Sequence, residues 1–207
     1  MVVGEQLTSL RRKPVQQRSA LRVARMLDAA AELLDEVGYE RLTTTAIAKR
    51  AGVAVGSLYQ FFPDKRAVVQ ALTQRNLERF MSLAAERLAT VDHQHWWAVV
   101  DALLDIYLQM HHETPGFARV HFGDAVDPRL LDGSRTNNDV VAEGMTELLI
   151  GRVDLPPEQL VTPIKVAVEI ADALLKFAFR TDPKGDPVVI DETKHVIKLY
   201  LESRFGR

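Results

Sequence analysis

Residues 44–65, TTAIAKRAGVAVGSLYQFFPDK, place a short helical pattern, a glycine and a second short helical pattern within 22 positions. Two helices this short must be clamped at an angle through small residues. Ala48 and Ala51 allow close approach, Gly52 supplies the turn, and Val53, Leu58 and Phe62 fill the wedge. That assignment leaves Thr44, Thr45, Val55, Gly56, Ser57, Tyr59 and Gln60 on the outer side, at the start of the two helices or on the exposed face of the second. Helix N-termini present free N–H groups and a positive dipole end, which is what a phosphate oxygen needs. Gly56 and Ser57 are small enough to let the backbone approach a groove wall, while Tyr59 and Gln60 reach further as donors or acceptors.

The rest of the chain is also helical in pattern. Leu27, Ala30, Ala31, Leu34 and Val37 recur on one helical face, with Gly38 as the expected C-terminal cap and Tyr39 placed for the accompanying apolar contact. Thr43 is an N-cap candidate for the first of the two short helices. Pro63 stops the second, and Asp64 caps a long helix through Val68, Leu72, Leu77 and Leu83 to about residue 89. Further helices are expected at about 94–113, 115–122, 127–152, 157–181 and 188–205. Pro163 implies either a helix that starts there with Thr162 as cap or a kink. The segment TDPKGDP, residues 181–187, reads as the link of an antiparallel helix pair, and no convincing strand run occurs. The expected fold is all-α: an N-terminal three-helix domain carrying the helix-turn-helix, then a larger helical domain, about nine helices in all.

Charge divides the chain. Residues 1–70 hold 11 Lys and Arg against 7 Asp and Glu, and the remainder holds 15 against 21, within a net charge of -2. A basic N-terminal third in an otherwise acidic chain suits phosphate contact, and ordinary surface scatter gives the same tally. There is no Cys, which excludes a disulfide scaffold and thiolate metal sites and fits a reducing cytosol. The first residues lack a signal-peptide h-region, and the run WWAVVDALLDIYL is broken by Asp101 and Asp105, so a cytoplasmic protein without membrane spans is expected.

GYERLTTTAIAKRAGVAVGSLYQFFPDKRAVVQAL, residues 38–72, resembles the DNA-binding domain of the TetR/AcrR family of bacterial one-component repressors. The resemblance lies in a register: Gly38-Tyr39, the Thr run, Ile47-Ala48, Ala51-Gly52-Val53, Leu58-Tyr59, Phe62 and Asp64-Lys65. It implies a flexible basic arm over 1–17, a helix-turn-helix domain over 18–66 and a helical ligand-binding and dimerisation domain over 67–207. It also implies that Thr44 and Thr45 open the supporting helix against the DNA backbone and groove edge. Val55, Gly56 and Ser57 would face base edges and thymine methyls, with Gln60 beside them, and Tyr59 and Lys65 would contact phosphate. Two positions depart from the family pattern. Ala54 stands where a polar residue is frequent, leaving the recognition helix without a side-chain cap, and Phe61 replaces a frequent His, removing a phosphate donor. With no bidentate side chain at 55–57, readout is expected to rest on shape, methyl contacts and phosphates. The N-terminal stretch LRRKPVQQRSALRVAR, which runs from this arm into the first helix, holds Arg11, Arg12, Lys13, Arg18, Arg22 and Arg25, and is either a solvated tail or a segment that enters the minor groove or tracks phosphates. Lys49 and Arg50 read as solvated surface charges, with phosphate contact as the alternative.

A helix-turn-helix is usually doubled, because one short helix contacts few bases, and two-fold symmetry sets the second copy ~34 Å along a palindromic operator. IKVAVEIADALLKFAF, residues 164–179, is apolar on more than one face, and Val196, Ile197, Leu199, Tyr200 and Leu201 could pair with it. The resemblance places a homodimer interface on these last two long helices; the alternative is burial of both in a monomer core. It also implies a cavity for a small, mostly apolar effector, for which Trp97, Tyr107, Met110, Phe117, Phe122 and Met145 are the candidates, although aromatic and Met residues at helical spacing also build cores. No cofactor is expected. His111, His112, Glu113 and His121 do not make a metal site: neighbouring helical residues diverge by about 100°, and no His pair at i,i+4 occurs. No GxSxG, phosphate loop or dinucleotide fingerprint is present, so an enzyme is not expected. The expected function is a sequence-specific DNA-binding regulator, most simply a ligand-responsive repressor released by its effector. The alternatives are an activator with the same DNA domain or a helical small-molecule-binding module.

Overall fold

The computed structural model describes residues 17–89, 95–120 and 136–206. Among these residues there are eight α-helices, one short 3₁₀ helix and no strand beyond a single bridge between Ile150 and Val153. The helices are α1 (Gln17–Arg41), α2 (Thr44–Arg50), α3 (Val55–Phe61), α4 (Lys65–Leu88), α5 (Trp96–Glu113), α6 (Asn137–Leu149), α7 (Pro157–Thr181) and α8 (Pro187–Phe205), with the 3₁₀ helix at Phe117–Arg119. The described residues divide into two compact units: 17–78 with 113–120, and 79–89 with 95–112 and 136–206.

The first unit is built around one face of α1. Met26, Ala30 and Leu34 are fully buried there with Leu42, Ile47, Leu58, Phe62, Val68 and Leu72. Burying side chains of this size stabilises by about 1.5–3 kcal/mol each, enough to hold two helices of seven residues that would not persist alone. Gly38 breaks α1 at φ 73 and ψ 169, and a last turn continues to Arg41 rather than ending at the glycine. The segment after α5 seats on α1: the Gly116 N–H donates to Asp35 Oδ2 at 2.8 Å, and a Cβ at Gly116 would lie 2.8 Å from Ala31 Cα. Only glycine fits there, since its φ of 75 is left-handed as well. Where the pattern predicts a helix over 115–122, the described part holds only the 3₁₀ turn, and residues 121 and 122 lie outside the described residues.

In the second unit α7 and α8 form an antiparallel pair, linked as expected by the Pro and Gly segment; Asp186 accepts from the N–H groups of Val188 and Val189 to start α8. Pro163 neither starts α7 nor stops it. The helix begins at Pro157, where a missing N–H costs nothing, and runs through position 163. Helix α6 is shorter than the expected 127–152: a capping box of Thr136 and Asp139 starts it, the chain turns out of it at Ile150, and 127–135 lie outside the described residues. Lys194 of α8 joins Asp101 and Asp105 of α5 at 2.7 and 2.6 Å, spaced four apart on one face. Desolvation works against its charge, and the two carboxylates outweigh that and hold its pKa above the ordinary lysine value.

Candidate nucleic-acid interface

Local chemistry sets the geometry of α2 and α3. The Thr43 hydroxyl accepts from the Ala46 N–H at 3.1 Å, capping α2 as expected. The chain leaves α2 through Gly52 at φ 66, where the Gly52 N–H donates to Lys49 O and the Val53 N–H to Ala48 O. A Cβ at Gly52 would meet nothing within 4 Å, so its left-handed backbone alone calls for glycine. Ala54 then starts α3 with no side-chain cap. Ile47 and Ala48 of α2, and Leu58 and Phe61 of α3, turn inward. Phe61 is therefore a core residue: it removes a polar group from this surface and adds packing beneath it.

The outward set falls on one side. Thr45, Gly56, Tyr59 and Gln60 are exposed, and Thr44, Val55 and Ser57 are half-buried. The Thr44 hydroxyl and the Tyr59 hydroxyl lie 2.9 Å apart, so the outer faces of α2 and α3 are tied by a hydrogen bond at the surface, with Tyr59 43% exposed. Asp64 caps α4 through the Ala67 N–H at 2.9 Å. Lys65 points its ammonium at the end of α1, donating to Tyr39 O at 3.0 Å and Glu40 O at 3.3 Å, and lies 4.5 Å from the centre of the Tyr39 ring. An ammonium has three donors, so this anchoring leaves one N–H for a phosphate.

Arg50 corrects one reading. It is not a merely solvated charge but a clamp from α2 to α1, donating to Glu36 at 2.7 and 2.9 Å and to Glu32 at 3.1 Å. The fork geometry holds the Glu36 carboxyl below the usual carboxylate range and raises the guanidinium further above its already high value. Lys49, its neighbour, is exposed.

This helix-turn-helix coincides with what known proteins share with the chain. The family described as bacterial regulatory proteins, tetR family, matches residues 26–72, and the family described as tetracyclin repressor-like, C-terminal domain, matches residues 94–205. A TetR-family transcriptional regulator from Streptomyces coelicolor has a solved structure that is 42% identical, covers 88% of this chain and 99% of its own, and superposes with a TM-score of 0.76. The chain belongs to the tetR family. It is a transcriptional regulator with a helix-turn-helix DNA-binding domain, and the family's members are regulators rather than enzymes. The nucleoid occlusion factor SlmA of Glaesserella parasuis is 30% identical over 123 residues, covering 59% of this chain and 58% of that protein. The transcriptional repressor KstR of Rhodococcus jostii is 43% identical over 58 residues, covering 28% of this chain and 27% of that protein. The chain thus spans less than two thirds of these curated relatives.

In the second unit this tetR-family chain has a partly open cavity of about 60 Å³ between α4, α5, α6, α7 and α8. Of the six effector candidates, Tyr107 and Met145 line it. Met110 is buried elsewhere, Trp97 lies under the Lys198 ammonium at 5.7 Å, Phe117 is fully buried in the first unit, and Phe122 lies outside the described residues. Sequence reasoning missed Asn138 and Asp172, the other polar residues of the lining. An Asp and a Lys four residues apart inside the otherwise apolar run ADALLKFAF were the available signal. His111 is buried and stacks on Phe179 with centroids 3.4 Å apart, which gives it a packing role. His121 lies outside the described residues. No helix among the described residues is long and apolar enough to cross a membrane.

Proposed function

We propose that this tetR-family regulator acts in the cytoplasm as a homodimeric repressor on a palindromic DNA operator and is released from it by a small, mostly apolar effector. The observation that carries the reading is the outer face of α2 and α3: Thr44 and Tyr59 tied at 2.9 Å, with Thr45, Gly56 and Gln60 exposed beside them. On it, Thr44, Thr45, Tyr59 and Lys65 serve the phosphates, and Val55, Gly56, Ser57 and Gln60 face the base edges. Residues 18–66 form the DNA-binding part and 67–207 the part that binds effector and partner.

Dimerisation is supported by apolar surface that the single chain leaves uncovered. Ile197 and Leu201 of α8 are buried, whereas Val196, Leu199 and Val188 of the same helix are exposed, Leu199 by 51%, as are Val166 and Phe177 of α7. A helix pair with a second apolar face suits a four-helix interface with its own copy. Tyr107 and Met145 are the effector contacts in this reading. An effector that binds the DNA-incompetent spacing of the dimer better shifts the population and weakens operator binding, with α4 as the transmitting element.

The test uses a duplex selected from a random pool by the wild-type protein. Phe177→Glu with Leu199→Glu is expected to give a monomer in sedimentation equilibrium and to lose at least tenfold in affinity for the full palindrome, while helical content is kept. A double variant that remains dimeric, or a monomer that binds the palindrome as tightly as wild type, contradicts the proposal.

A further inference from the structure

Among the polar residues of the cavity, the Asp172 carboxylate can only accept. Eleven of the lining residues, from Phe80 and Val100 to Leu175 and Ile197, are apolar; the others are Tyr107, Asn138 and Asp172. Asp172 accepts from the Lys176 ammonium through Oδ2 at 2.8 Å, and its side chain is 13% exposed. Its second oxygen, Oδ1, is buried without a hydrogen-bond partner. Asn138 is buried and donates one amide N–H to Glu169 Oε1 at 3.2 Å, which leaves its carbonyl as an acceptor and its second N–H as a donor. Ala167 and Ala171, the small residues of the α7 wall, leave room beside Asp172.

A buried carboxylate oxygen without a partner is costly, and a molecule that donates to it recovers that loss on binding. An anionic head in the same place meets the carboxylate through a low-dielectric wall and is repelled. The cavity of about 60 Å³ is several times the ~10–15 Å³ that one water requires, so it accommodates a short apolar body as well as a head group.

Building on the reading of this cavity as the effector site, we propose that the effector is a neutral or cationic amphiphile, an apolar body whose hydroxyl or ammonium head donates to Asp172 Oδ1, and that carboxylate heads are excluded. The donor requirement is the specificity element, and the apolar walls supply most of the affinity.

Four probes of similar size separate the contributions by isothermal titration calorimetry on the full chain: n-hexanol, hexylammonium, methyl pentyl ether and hexanoate. The ether is an isomer of the alcohol that lacks the donor. On wild type, n-hexanol and hexylammonium are expected to bind about tenfold or more tightly than the ether and hexanoate. Asp172→Asn keeps the shape, leaves its carbonyl on Lys176 and turns an NH₂ toward the position of Oδ1, so hexanoate and the ether should gain and hexylammonium should lose, while n-hexanol, whose oxygen accepts as well as donates, keeps no advantage over the ether. Equal binding of all four to wild type, no binding of any, or a ranking that Asp172→Asn leaves unchanged overturns the donor anchor. Ala171→Phe, which fills the space, separates this from the underlying reading. If it abolishes binding of probes that showed no ranking, the anchor falls and the effector cavity stands; if it binds all probes as wild type does, the cavity is not the site and both fall.

Discussion

Gly56 lacks both reasons a fold has for keeping glycine. Its φ is not left-handed, and a Cβ built there meets nothing within 4 Å. It sits second in α3, where glycine is about 0.5–1 kcal/mol less favourable than alanine. Gly56→Ala is therefore expected to raise stability by up to that amount in a denaturant titration, and yet to weaken operator binding, because the added methyl stands between the helix and the groove wall. Unchanged or tighter DNA binding would show that Gly56 does not approach the duplex. Lys65 illustrates the opposite case, a residue with a structural task visible only in three dimensions: its ammonium holds the carbonyls of Tyr39 and Glu40. The register GYERL to PDK marks Lys65 as functional in the sequence, but nothing local marks the carbonyls it holds, 26 and 25 residues away.

Helix α6 owes its start to Thr136 and Asp139, and Asp139 also pairs with Lys165 of α7 at 2.8 Å. The Lys165 ammonium first, then the Thr136 backbone N–H and hydroxyl, hold the Asp139 carboxyl down to about 2 from its ordinary 3.8. A carboxyl depressed in the folded state contributes stability that is present above its unfolded value and lost as pH falls through the folded one. The thermal midpoint of Asp139→Asn should thus lie below wild type at neutral pH, with the gap closing as pH falls from about 4 towards 2. A gap independent of pH would mean that the cap matters for shape alone. Some local caps were legible: Thr43 for α2 and Asp64 for α4 follow from residue type and spacing, as do the extents of α7 and α8, whereas the equally local box of Thr136 and Asp139 was passed over by a helical pattern read from 127. Contacts between helices were not. Arg50 meets Glu36 and Glu32 across 14 and 18 residues, and the cavity beside Asp172 exists only once α6 and α7 pack. Apolar periodicity gives a helix its buried face without saying which neighbour covers it, which is why two of six effector candidates line the cavity.

The whole chain carries a net charge of -2, yet its first 70 residues are basic, and the helix-turn-helix lies among them. In the proposed reading, such a division directs phosphate contact to one end of the sequence and leaves the acidic remainder to the partner and effector. The register of residues 38–72 made this organisation legible, because the turn, the caps and the small residues are all short-range; the acidic remainder offered only helix lengths and apolar faces. The central claim is that the outer face of α2 and α3 binds operator DNA. Its most direct test is fluorescence anisotropy of the selected operator duplex at two salt concentrations, comparing wild type with Thr45→Ala/Gln60→Ala, both exposed residues on which the fold does not depend. The account predicts wild-type binding that weakens steeply with salt and a double variant that stays folded and dimeric but binds the operator at least tenfold more weakly. Operator binding by the double variant indistinguishable from wild type at both salt concentrations would contradict it.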